Sequence, residues 1–399
     1  MDVEPSHRPL RIAILLDKFL PSRGGERYFS FLVAELVRMG HEVHIFASKV
    51  EATDDLPYSV HLIPVAKFPR SLRILSFRYN AARMLRRHDF DIIHGVAESC
   101  EVNVLNPHGG VEPAYLKQEF ASISNPVYYV YKVLKRYLSI RHYLEMGLQR
   151  RLYGGTALKR VIAISSMIKR DIIQHYRFPE DRISVVFNSV DLDQFHPHNR
   201  DLYRNAKRME LGIGENTLLL LFAGNNYRLK GVRTLIMALG LLSGRFPDQD
   251  FRLLIAGRGH AGGYRRLARR LGIEDKVIFV GAVTGMEQWY GAADIYVHPT
   301  FYDSCSLTVL EALASGLPVI TTRFNGASEA IQNEAAGIVI NNPADATELA
   351  DAISSYLDPG QRSRALPASR ACMEQYSPER NLAETLAVYS LVAKETGRL

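Results

Sequence analysis

Strand-length apolar runs alternate with amphipathic stretches almost from end to end of this chain, and that rhythm constrains the fold more than any single motif. Residues 10–16 read as a buried parallel strand. Residues 26–39 read as a helix with Phe29, Leu32, Val33, Leu36 and Val37 on one face, and Gly40 ends it. Further strands are expected at 42–47, 91–94, 160–164 and 183–187. After a polar, linker-like interval at 191–216 that runs into a short helix, the rhythm restarts, with strands at 218–223, 251–256, 276–280, 294–298 and 317–321. The last segment, 377–399, opens with Ser377, Pro378 and Glu379 and reads as one amphipathic helix. Strand–helix–strand alternation requires parallel sheets covered on both faces. The expected fold class is therefore α/β, with two Rossmann-like doubly wound domains facing across a cleft. Their expected bounds are residues 1–190, completed by the helix 377–399, and residues 191–376. In such folds ligands sit at the carboxyl ends of the strands.

Composition narrows the class. A chain of 399 residues, at about 150 per domain, holds more than one domain. With 47% hydrophobic and 23% charged residues, disordered and fibrous classes are excluded. The longest apolar runs are strand-length, far short of the ~20 residues a bilayer span needs. The polar start and the short run at 12–16 argue against a secretory signal. Cys100, Cys305 and Cys372 are too far apart for a disulfide framework or a metal knuckle. The expected location is cytoplasmic. Net charge is +7, and all of it lies in residues 1–200, with 28 Lys+Arg against 21 Asp+Glu. That half is expected to meet something anionic.

The most informative block runs from Pro299 to Thr322. A strand ends at His298, a helix begins near Ser306, Leu307 and Thr308, and Gly316 stops it. Free N–H groups and the helix dipole there favour an anion. Asp303 in the loop and Glu311 eight residues on are placed to hold sugar hydroxyls. Taken alone, they read more readily as a helix cap and a solvent-facing Glu. Lys230 follows a strand and precedes a helix, a position that taken alone reads as a solvated Lys. Gly257-Arg-Gly-His-Ala-Gly262 matches a dinucleotide fingerprint, but the next strand ends without an acidic residue for a ribose, which argues against a nicotinamide cofactor.

The Pro299–Thr322 block resembles the signature of glycosyltransferase family 4, retaining enzymes of the GT-B fold. Residues 160–171, 185–195 and 222–231 are similar to further segments of that family, so the resemblance covers nearly the whole chain. Residues 18–25 and the Tyr227–Gly231 loop look most like the lipopolysaccharide core glucosyltransferase I group. The resemblance implies that Asp303 contacts the donor sugar, Glu311 the ribose, and Lys230 and Arg228 the diphosphate. It also implies that Gly24 and Gly25 approach donor and acceptor, and that His108 lies near the reactive carbon. Asp303 stands where the family has Glu, Ser306 and Ser189 where Gly is usual, and Asn225 where Arg is usual. No metal is expected to take part.

Residues 67–87 carry seven basic side chains and no acidic one. Residues 128–160 add Lys132, Lys135, Arg136, Arg141, Arg150, Arg151, Lys159 and Arg160, interleaved with six Tyr. This pattern suits an anionic membrane surface; it equally suits solvated helix faces with a Tyr-rich packing side. No nucleic-acid module is present, so nucleic acid is not an expected partner. The sequence thus points to a retaining enzyme moving a hexose, glucose by resemblance, from a UDP-linked sugar to a lipopolysaccharide core or other glycolipid hydroxyl at the inner membrane face. A synthase with a soluble acceptor and a non-catalytic membrane-binding scaffold are the alternatives.

Overall fold

A computed structural model of the chain describes residues 8–20, 24–51, 57–96 and 101–398. Residues 21–23 of the first strand–helix loop, and Cys100, lie outside the described residues. The chain divides into two compact units. The first comprises Met1–Pro113, Val130–Phe187 and Asn381–Leu399, and the second Ala114–Tyr129 and Asn188–Arg380.

The chain begins with β1 (Arg11–Phe19), α1 (Gly24–Arg38), β2 (Glu42–Val50), β3 (Ser59–Leu62), α2 (Arg70–Leu85), β4 (Ile92–Gly95) and β5 (Val104–Leu105). Next come α3 (Glu112–Ala121), α4 (Pro126–Tyr137), α5 (Ile140–Tyr153), β6 (Arg160–Ala163), α6 (Ser166–Tyr176) and β7 (Ile183–Val185). They are followed by α7 (Asn199–Glu210), β8 (Leu218–Ala223), α8 (Val232–Arg245), β9 (Phe251–Ala256), α9 (Gly262–Arg270), β10 (Val277–Gly281) and α10 (Met286–Ala292). The chain closes with β11 (Ile295–His298), α11 (Leu307–Ala314), β12 (Val319–Thr322), β13 (Gly337–Ile340), α12 (Ala346–Ser354), α13 (Pro359–Met373) and α14 (Pro378–Glu395).

Each unit holds one all-parallel sheet. The first has the order β3-β2-β1-β4-β5-β6-β7, the second β10-β9-β8-β11-β12-β13. Strand order therefore reverses beside β1 in one unit and beside β8 in the other, and a doubly wound sheet opens a ligand crevice at such a reversal.

Burial explains the elements. All six residues of β8 are buried. Leu218, Leu220 and Phe222 pack with Leu235, Ile236 and Leu239 of α8 and with Leu349 and Ile353 of α12. Fully burying each such side chain contributes roughly 1.5–3 kcal/mol. In the first unit, Ile12 and Ile14 of β1 pack with Phe29, Leu32, Val33 and Leu36 of α1, and with Val388, Tyr389 and Val392 of α14. Gly40 takes φ +84°, the left-handed turn that ends α1.

The interval at 191–216 is not simply a linker. Its helix α7 brings Arg200, Arg204 and Arg208 onto Asp294 at 3.3, 2.8 and 3.1 Å. Asp294 Oδ2 also accepts the Leu219 N–H at 2.9 Å, which ties α7 to the start of β8. Burial pushes the Asp294 carboxyl up, but the guanidinium groups outweigh it and hold it below the usual carboxylate range.

Candidate active site

In the second unit, two loops leave the carboxyl ends of the neighbouring strands β8 and β11, at the reversal. Residues 224–231 follow β8, and residues 299–306 lead to α11. They lock together through the backbone: the Phe301 N–H donates to Leu229 O at 2.8 Å. Gly231, with φ +74°, lies so close to Pro299 that a Cβ would stand 2.0 Å from its carbonyl oxygen. Glycine is required there by backbone geometry and by contact.

This docking puts Lys230 Nζ 2.5 Å from Asp303 Oδ2 and 3.2 Å from Tyr302 O. Asp303 is fixed in turn from the backbone. Its N–H donates to Phe324 O at 2.9 Å, and its carbonyl accepts the Gly326 N–H at 2.9 Å. Burial raises the Asp303 carboxyl; the charge of Lys230, then His298, more than offsets this and holds it well below the usual carboxylate range.

Ser306 occupies the N-cap position of α11, but its side chain makes no capping bond. Its Oγ lies 3.0 Å from Thr308 Oγ1, and its N–H donates to Asn325 Oδ1 at 3.2 Å. The N–H groups of Leu307 and Thr308 lie in the first turn, ahead of the helix's own hydrogen-bond ladder. Glu311 is not solvent-facing. It is half-buried, and its Oε2 accepts the Tyr290 hydroxyl at 2.8 Å. Burial, then the Glu311 charge, pushes the Tyr290 phenol well above its ordinary value, so it stays a donor.

Arg228 is committed elsewhere in this unit. Its guanidinium pairs with Glu119 at 3.0 Å and also bonds Ser122 Oγ and Glu119 O. The Gly257-x-Gly loop is explained by packing. A Cβ on Gly257, φ +125°, would meet Gly224 O at 2.1 Å, and one on Gly259 would meet the Tyr227 ring at 2.4 Å. Asn225 Oδ1 accepts the Arg258 N–H at 2.7 Å, joining the two loops.

Residues 22–194 match the family described as Glycosyltransferase Family 4, and residues 217–358 match Glycosyl transferases group 1. The chain belongs to glycosyltransferase family 4. It is 23% identical over 387 residues to the lipopolysaccharide glucosyltransferase WaaG of Escherichia coli (strain K12), with 96% of each chain covered. It is 35% identical over 262 residues to a D-inositol 3-phosphate glycosyltransferase of Pseudarthrobacter chlorophenolicus. That match takes in 64% of this chain and 60% of the relative, less than two thirds of the relative's length. A crystal structure of WaaG aligns with a TM-score of 0.77 at 22% identity, covering 93% of this chain and 98% of that one. A crystal structure of Anabaena HepE in complex with UDP and glucose aligns at 0.68 and 16% identity, covering 98% and 100%. The two parallel-sheet units are those of the GT-B fold.

The first unit of this family-4 glycosyltransferase places its expected residues separately. Gly24 and Gly25 open α1 directly after the loop at β1. His108 is half-buried beside two aromatic rings, with centroids 5.1 Å from Phe29 and 5.5 Å from Tyr28. Burial pushes its imidazole down to about 4, so it is neutral near pH 7.

Helix α4 has no buried residue. Val127, Val130, Tyr131, Leu134 and Leu138 form one exposed apolar stripe on and just past it, with Lys132 and Lys135 beside the stripe. Leu72, Leu75 and Tyr79 of α2 are likewise exposed. Not every cation in these stretches is available. Arg136 pairs with Glu112 and Glu145, Arg141 with Glu145, and Arg160 with Glu395. Among the described residues no helix is long and apolar enough to cross a membrane.

The sequence does not reveal Glu119, Tyr290 or Asn325 as partners of the site, because each meets it only through the fold. Tyr296 and His298 carry a faint signal, two polar residues at i and i+2 in an otherwise apolar strand.

Proposed function

We propose that this glycosyltransferase transfers a hexose, glucose, from a UDP-linked donor to a hydroxyl of a lipopolysaccharide core or related glycolipid, with retention, at the inner face of the membrane. The observation that carries this is the Lys230–Asp303 pair at 2.5 Å, set beside the α11 N-terminus at the strand reversal. Leaving diphosphate needs fixed positive charge, which Lys230 and the Leu307 and Thr308 N–H groups supply without a divalent ion. Asp303 holds sugar hydroxyls and Glu311 the ribose. Arg228 joins the phosphate only when its Glu119 pair opens. By resemblance to the family, His108, Gly24 and Gly25 serve the reactive carbon and the acceptor.

The step is a same-face displacement. The bond from the anomeric carbon to the phosphate oxygen breaks, and the acceptor oxygen bonds to that carbon on the same face. The acceptor's proton passes to the departing phosphate. The likeness to WaaG along 96% of both chains and the exposed apolar and cationic face of α4 favour an amphiphilic acceptor. Cations at an anionic surface contribute about 1 kcal/mol each.

A second reading, a soluble acceptor, is favoured by the higher identity, 35%, to the D-inositol 3-phosphate glycosyltransferase. Thermal shift against UDP, GDP, ADP and their sugars, followed by hydrolysis of the selected donor, tests the donor half. Co-sedimentation with vesicles with and without anionic lipid tests the acceptor half. Stabilisation by UDP with pelleting only on anionic vesicles supports the first reading; no pelleting on either favours the second.

A further inference from the structure

His298 closes β11 directly behind the Asp303 loop. Its side chain is 1% exposed, and the ring stacks on Phe222 with centroids 5.4 Å apart. Nδ1 lies 3.2 Å from Tyr296 Oη, which lies 2.7 Å from Thr308 Oγ1, itself 3.0 Å from Ser306 Oγ. Nε2 has no hydrogen-bond partner within normal geometry, and Asp303 Oδ2 stands 3.5 Å away. A buried polar nitrogen left short of an acceptor calls for an explanation. The explanation is competition, because Lys230 Nζ already holds that same oxygen at 2.5 Å.

The neighbouring carboxylate selects the tautomer. A carboxylate facing Nε2 requires the proton there, so Nδ1 accepts the Tyr296 hydroxyl. Tyr296 Oη carries one proton for three neighbours, His298 Nδ1, Thr308 Oγ1 at 2.7 Å and Ala223 O at 3.1 Å, and the carboxylate at Nε2 favours giving it to Nδ1.

Resting on the donor reading above, we infer that His298 is a positioning residue. When the diphosphate of a nucleotide sugar draws Lys230 away, His298 Nε2–H takes over Asp303 Oδ2 and keeps that carboxylate aimed at the sugar. Without a successor to Lys230, Asp303 would be a buried charge with no compensation. The titratable groups packed around Asp303 are Lys230 from the loop after β8, His298 and Tyr296 from β11, and Cys305 from its own loop, with Glu329 beyond. Burial, with the Asp303 charge, keeps the Cys305 thiol neutral, and Glu329 has the wrong sign. Tyr296 is directed to Nδ1. Of these groups, His298 is the one placed to donate once Lys230 has moved.

Two substitutions test this, with UDP and UDP-glucose as probes. His298→Phe keeps a ring against Phe222 and removes the donor; His298→Gln restores an N–H near the position of Nε2. Both should bind UDP within about threefold of the parent chain. His298→Phe should lower kcat for UDP-glucose cleavage about tenfold or more and move the acid limb of kcat to higher pH. The acid limb of kcat/KM, which reports the free enzyme where Lys230 still holds Asp303, should stay in place. His298→Gln should recover most of kcat. Equal losses in the two variants, or a Phe variant equal to the parent, would overturn the inference. A parent chain that neither binds UDP nor cleaves UDP-glucose overturns the donor reading itself, and the inference falls with it.

Discussion

Lys230 and Asp303 stand 73 residues apart in the chain, yet their side chains share one ion pair across two loops. The resting site therefore keeps its main cation neutralised until a stronger anion arrives. A diphosphate carries more charge than a carboxylate and brings the sugar that Asp303 can hold in exchange. Lys230→Ala should lower kcat for donor cleavage by ~10²–10³, the loss typical of removing a donor to a developing oxyanion. Steady-state kinetics with UDP-glucose measure it, and near-normal turnover would take Lys230 out of the mechanism.

Arg228 is held by Glu119 and Ser122, so its charge is also occupied at rest. Releasing it should favour the anion. Glu119→Gln is expected to tighten UDP binding severalfold, read by titration calorimetry. Weaker binding would mean that Glu119 shapes the site rather than restrains Arg228.

Gly231→Ala is expected to uncouple the two loops. The added methyl would meet the Pro299 carbonyl at 2.0 Å, and the residue sits at φ +74°. Gly40→Ala is the control, with φ +84° but nothing within 4 Å of the new Cβ. Both changes cost about 1–2 kcal/mol of backbone strain, seen as a lower Tm. Only Gly231→Ala should also depress donor cleavage, because it displaces Lys230.

Acid should destabilise the first unit through the imidazoles of buried His94 and half-buried His108. Burial lowers His108 to about 4 and, together with the charge of His108, lowers His94 to about 3. Between about pH 6.5 and pH 4 the unfolded chain binds protons that these folded sites refuse. Stability is therefore full above about pH 6.5 and is lost as pH falls, at about 1.4 kcal/mol per unit for each group once well below that value. Tm should drop across this window, and His108→Leu should flatten the slope.

Much of the fold was legible because the code for a buried parallel strand is local. β8 and β9 coincide with their expected bounds to the residue, since nearly every side chain in them is buried. β3, β5 and β13 were not foreseen. β3 is mostly exposed, β5 is two residues long, and β13 begins with Gly337, so none carries a strong pattern. β1 runs on to Phe19, past Asp17 and Lys18, because pairing with β2 rather than burial extends it. In the site, loop and helix positions could be read from Gly, Ser and Pro spacing. The pairings Lys230–Asp303, Arg228–Glu119 and Tyr290–Glu311 could not, because sequence separation says nothing about which polar side chains the fold brings together. The same holds for the three arginines of α7, which look like solvated charge until Asp294 is placed among them.

The most direct measurement is titration calorimetry of UDP, in excess EDTA, against the parent chain and Lys230→Ala. The expected result is chelator-insensitive binding by the parent and at least tenfold weaker binding by the variant. Binding that disappears with EDTA, or that is unchanged by the substitution, would contradict a diphosphate held by Lys230 and the start of α11.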